Sequence, residues 1–164
     1  MKISLAIVSL ASLVIGLLGC DQDRIEKLEE GVATEAKVRE QFGEPQVTYA
    51  EPDGSKTFEY SRQPEGQVAY MITIGPDGKM SALRQVLKPM DFAKVVPGME
   101  SAQVRRMLGK PTKTAKYPLK PDEEHWEWRW LDGQQSKTFT VTFGPQGKVA
   151  STSVADEDRD TNRK

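Results

Sequence analysis

The sequence predicts an α+β protein of two tandem units, each with two short helices packed on a three-stranded antiparallel sheet. Three observations carry that expectation. Landmarks recur in one order along the chain, a helical apolar pattern precedes an alternating one in each copy, and a Gly-Pro-x-Gly-Lys turn sits late in both. Self-similarity at a fixed spacing marks a repeated structural unit.

The chain opens with Lys2 and an apolar run that closes at Leu17-Leu18-Gly19-Cys20. A charged start, an apolar middle and a small residue at the cut make an export signal. The run is shorter than the roughly 20 apolar residues of a membrane span. Leu-Leu-Gly-Cys resembles the lipobox of bacterial lipoproteins. That resemblance implies removal of residues 1–19 and a lipid on Cys20, as S-diacylglycerol and N-acyl groups, with no other cofactor. Two or three acyl chains would tether the protein stably to a membrane, facing the periplasm. Asp21 follows the cysteine, and in enteric bacteria an aspartate there resembles the signal that holds a lipoprotein in the inner membrane. Other bacteria read other positions, so the membrane stays open.

Cys20 is the only cysteine, so the exported part has no disulfide available. The formal charge of −1 offers no field for nucleic acid. Residues 20–24 read as a tether, 25–87 as the first unit, 88–91 as a linker, 92–154 as the second unit and 155–164 as a disordered tail.

In the first unit Thr34 is placed to cap a helix carrying Ala36, Val38 and Phe42. Ser101 is placed likewise before Ala102, Val104, Met107 and Leu108. Gly43 and Gly109 then sit where a left-handed residue ends a helix, with Pro45 and Pro111 blocking its return. A weaker helical turn precedes each, at Ile25 and Leu28 and at Phe92 and Val95.

The period next switches to two. Phe58-Glu59-Tyr60 is answered by Trp126-Glu127-Trp128, and the strand after each carries the same alternation. Proline and glycine in the 75–79 and 144–148 turns preset hairpins. A third strand follows at 80–87 and at 149–154. Offsets between partners grow only from 66 (Gly43 to Gly109) to 69 (Gly75 to Gly144).

A lipobox, a capped helix ending Leu-Gly-Lys-Pro, an aromatic strand and a Gly-x-x-Gly-Lys hairpin resemble the SmpA/OmlA (BamE-type) lipoproteins. The likeness is best over residues 92–154. It implies service to the machinery that inserts β-barrel proteins into the outer membrane, and an outer-membrane location. The duplication looks instead like tandem proteins of the same superfold, secreted β-lactamase inhibitors among them.

No residue set reads as an active site. His125, the single histidine, falls on the polar side of a strand, and a metal site would need further ligands in defined geometry. The expectation is therefore a non-enzymatic protein with no metal, small-molecule substrate or nucleic-acid partner. The tryptophans read as core beneath the helices. The sheet faces turned away from the helices are expected to be open. They supply the partner-binding candidates Glu59 and Met71 in the first unit and Glu127, Arg129 and Thr140 in the second. The competing site is the basic stretch 101–120, led by Arg105 and Arg106, which holds six basic residues and no acid. Two functions stay in view: a lipid-anchored protein-binding module in barrel assembly or envelope integrity, and a tethered inhibitor of a periplasmic enzyme.

Overall fold

The computed structural model describes residues 21–157; the signal segment, Cys20 and everything after residue 157 lie outside the described residues. The first half runs α1 (Asp21–Ile25), α2 (Glu35–Phe42), β1 (Val47–Ala50), β2 (Lys56–Ser61), β3 (Ala69–Ile74) and β4 (Met80–Gln85). The second runs α3 (Pro89–Phe92), α4 (Ser101–Leu108), β5 (Lys113–Tyr117), β6 (Lys120–Asp132), β7 (Gln135–Phe143) and β8 (Val149–Asp156). The class is α+β. Two antiparallel sheets form, in the orders β1-β2-β3-β4 and β5-β6-β7-β8.

Each sheet thus has four strands, not the expected three. The added strands, β1 and β5, are edges held by backbone pairing to β2 and β6. In β1 exposed Thr48 and Ala50 alternate with half-buried residues, and β5 is exposed except at Ala115. Neither buries enough apolar surface to announce itself. The halves are also not exact copies, because β6 spans 13 residues where β2 spans six. At the joints, α1 takes up residues assigned to the tether, α3 begins inside the expected linker, and β8 runs on through Ala155 and Asp156 of the expected tail.

Local chemistry explains the paired helices. Thr34 Oγ1 accepts the Lys37 amide at 3.3 Å, closing the start of α2. In α4 the cap is Glu100 instead of Ser101, and the Gln103 side chain accepts the Glu100 amide at 2.9 Å. Both helices end on glycines with nearly identical backbone angles, φ 81° and ψ −163° at Gly43, φ 76° and ψ −170° at Gly109. That region lies beyond the left-handed helical basin and is open essentially to glycine alone. An aromatic side chain then seals each end. The Tyr60 hydroxyl donates to the Gly43 carbonyl at 2.9 Å, and Trp128 Nε1 donates to the Gly109 carbonyl at 3.0 Å.

The recurring hairpin turns dock against the segments preceding α2 and α4. Gly31 donates to the Met80 carbonyl and Met80 to that of Ala33, both at 2.7 Å. Gly98 and Val149 repeat the exchange with Val149 and Met99 at 2.8 Å. The motifs shared by the halves are therefore structural clamps between helix and sheet.

The core forms two clusters. Val38, Phe42, Phe58, Tyr60, Tyr70, Ile72 and Ile74 fill the first, under α2. Val104, Leu108, Trp128, Trp130, Phe139, Val141 and Phe143 fill the second, where Trp126 packs half-buried. The second cluster also contains Ala69, Met71, Val86 and Leu87 from the first half. So α4 has a sheet on either side of it: Val104 and Leu108 face β6 and β7, and its opposite flank meets β2 and β3. The layers run helices, sheet, helices, sheet.

Candidate functional site

The flank of α4 turned toward the first sheet carries Arg105, and beneath it lies a buried carboxylate. Glu59 is 0% exposed. Its oxygens accept Arg105 Nη2 at 2.8 Å, Arg105 Nε at 3.2 Å, the Tyr49 hydroxyl at 2.9 Å and the Lys110 amide at 2.8 Å. A carboxylate so buried must be paired and hydrogen-bonded to be tolerated. Burial, then the hydrogen bond to Glu59, push the Tyr49 hydroxyl up to about 12. Beside it Arg106 pairs with Glu51 and lies 5.0 Å from the centre of the Tyr49 ring.

This arrangement overturns the expectation of an open first sheet. Glu59 and Met71 are buried under the second half of the chain, Met71 at 3% exposure. Ser61 joins them, donating to the Lys110 carbonyl at 3.1 Å. Arg105 and Arg106 do not form a free basic face either; both are spent on acids of the first half. A local alternation of polar and apolar residues could not reveal this, since the covering helix lies 46 residues away from Glu59 in sequence. Two signals did bear on it: Ala69 and Met71 stand on a face that should be polar, and the acidic first half faces a basic helix.

The second sheet differs. Its outer face carries Glu127 and Arg129 on β6, Thr138, Thr140 and Thr142 on β7, and Ser151 and Ser153 on β8, in register across the strands. None of these is fully buried, and among the described residues only Arg129 has a side-chain partner in the first half of the chain. Glu127 stands where Glu59 does: Glu59 pairs with Met71 across β2 and β3, and Glu127 with Thr140 across β6 and β7. Its only ion partner among the described residues is Lys113, at 3.9 Å. Arg129 is less free than its neighbours, because it donates to the Pro64 carbonyl at 3.0 Å and to Glu157 at 3.2 Å. Its backbone also exchanges hydrogen bonds with the Gln63 side chain. Arg129 ties the halves together at their edge.

His125 lies on the same face. Its Nδ1 is 3.1 Å from Thr142 Oγ1, and its Nε2 is 3.5 Å from Glu123. Hydroxyl, imidazole and carboxylate are neighbours here, on strands β6 and β7 that pair antiparallel through this stretch. Acyl-transfer chemistry needs free amides converging on a developing oxyanion. Among the described residues no group of three His, Cys, Asp or Glu is arranged to hold a metal ion.

Asp21 sits at the start of α1, and its carboxylate receives Arg62 at 2.9 and 3.1 Å and Arg24 at 3.3 Å. Cys20 lies outside the described residues, and among those described no helix is long and apolar enough to cross a membrane.

No protein-family model matches the chain, and no curated protein matches it. Among solved structures, one described as an osmotically inducible lipoprotein, OsmE, shares 25% identity over 43% of this chain and 75% of its own, with a TM-score of 0.38. A DUF4309-family protein from Bacillus subtilis, YjgB, shares 17% identity over 79% of this chain and 82% of its own, with a TM-score of 0.31. Both superpositions are loose.

Proposed function

We propose that this chain is a lipid-anchored, non-catalytic docking module of the bacterial envelope, and that it holds a protein partner on the outer face of β5–β8. One observation carries the reading: Glu127 repeats the position at which Glu59 anchors a docked helix, and no described segment of the chain occupies it. Cys20 supplies the anchor, and Asp21 is the sorting residue under the enteric rule alone, which leaves the choice of membrane open. The resemblance of the motifs to SmpA/OmlA lipoproteins favours a partner in outer-membrane β-barrel assembly. The tethered-inhibitor reading uses the same face on a periplasmic enzyme. Neither reading requires a cofactor, nucleic acid or small-molecule substrate.

Capture of the chain from crosslinked envelopes, with identification of what accompanies it, tests this. Barrel-assembly components support the assembly reading; a soluble hydrolase in their place replaces it with the inhibitor reading. A chain that brings no protein with it overturns both.

A further inference from the structure

The layered order leaves a helix exposed at one end of the molecule and a sheet at the other. At the sheet end, Glu127 has the register of Glu59. At the helix end, α2 has the design of α4: Arg39 matches Arg105, and Gly43 matches Gly109 in both backbone angles. Space around the two glycines tells them apart. A Cβ on Gly109 would lie 3.5 Å from Ala69 and Met71 and 3.6 Å from Glu59, because the first sheet is pressed against it. A Cβ on Gly43 would meet nothing within 4 Å. Among the described residues the chain therefore carries one filled socket and plug, one free plug, and a second socket free except at Arg129.

The principal charge pair of the filled contact recurs in the free one. Within the chain, Arg105 meets Glu59, and Arg106 meets Glu51 at the end of the neighbouring edge strand. On α2 the matching residues are Arg39 and Glu40. On the second sheet Arg39 would face Glu127, and Glu40 would face Tyr117, which stands at the register position of Glu51 with its ring 5.0 Å from that of His125. Polar Thr138 and Thr140 replace Ala69 and Met71 in the free socket, as suits a surface that is sometimes in water.

We propose that a second copy of this chain docks its α2 on the outer face of β5–β8, as α4 docks on β1–β4 within the chain. Arg39 leaves Glu35, Glu44 and the Phe58 ring, whose centre is 4.7 Å from its guanidinium carbon, to reach Glu127 of the next copy. Such a contact is heterologous: each copy uses one surface to give and another to receive, so copies add in series unless the rotation closes a ring. The proposal rests on the docking-surface reading and names one occupant for that surface.

The test uses the full lipidated chain in its own membranes. Glu40→Cys and Tyr117→Cys in one chain, treated with a short thiol–thiol crosslinker, should give a ladder of dimers, trimers and higher species. Either cysteine alone should give none, and the unmodified chain, whose single thiol is Cys20, sets the background. In a second arm Arg39→Glu or Glu127→Arg should each weaken association about ten-fold, and the two together should restore it. No crosslinked species from the double-cysteine chain, a ladder from single-cysteine chains, or no recovery in the charge swap overturns the proposal. If self-association is absent while Glu127→Arg still abolishes capture of another protein, the second copy is the wrong occupant and the docking surface stands. If that substitution leaves capture unchanged as well, both fail.

Discussion

Arg105 grips Glu59 through two nitrogens, at 2.8 and 3.2 Å, from a helix on the other half of the chain. The carboxylate is sealed from water while the guanidinium keeps 30% of its side chain exposed. Pairs of this kind fix geometry more surely than they add stability, because desolvation offsets much of the attraction. Here the geometry is the seating of α4 on the first sheet.

Removing one partner strands the other. Arg105→Ala should cost about 3 kcal/mol in urea unfolding, since Glu59 would remain buried without its cation. Replacing both, with Glu59→Met and Arg105→Leu, should recover most of that loss. A double variant as unstable as the single would show that the pair contributes more than placement.

Gly109→Val should cost about 1–3 kcal/mol through backbone strain. It should cost more than Gly43→Val, because only at Gly109 does the new side chain press on Ala69, Met71 and Glu59. Equal losses at the two glycines in thermal unfolding would contradict the close seating of α4.

Alkaline pH should loosen the fold. Burial raises both Tyr49 and Tyr60 to about 12, above the ordinary value near 10. A group raised on folding contributes fully below its unfolded value and loses that contribution as pH climbs through its folded one. Stability should therefore be steady up to about pH 10 and fall toward 12. With Tyr49→Phe and Tyr60→Phe together, that fall should flatten. An unchanged slope would mean that other groups drive it.

Cys20→Ala should end incorporation of labelled fatty acid and stop lipoprotein-type processing. Label entering the variant would place the anchor elsewhere.

The repeat was legible because its glycines, aromatics and hairpin turns each answer a local demand: a helix end, a sealed carbonyl, a clamp to the sheet. The edge strands β1 and β5 were not, because pairing along one side needs no apolar pattern. The fate of the first sheet's outer face was the larger miss. Glu59 and Glu127 look alike in sequence, on strands of the same alternation, yet one lies under a helix and the other faces outward. What separates them is tertiary, a helix from the other half and its arginine. The neighbours held the hint, since Ala69 and Met71 are replaced by Thr138 and Thr140 where the sheet faces outward.

The most direct measurement of the central claim compares partner capture from crosslinked envelopes by the unmodified chain and by Glu127→Lys with Thr140→Lys. Arg129 is left alone because it also joins the halves. The changed residues lie on the outer face of the second sheet, so thermal unfolding should stay within a few degrees while capture falls at least about ten-fold. Capture at the unmodified level by a folded variant would contradict the claim that the outer face of β5–β8 is where partners dock.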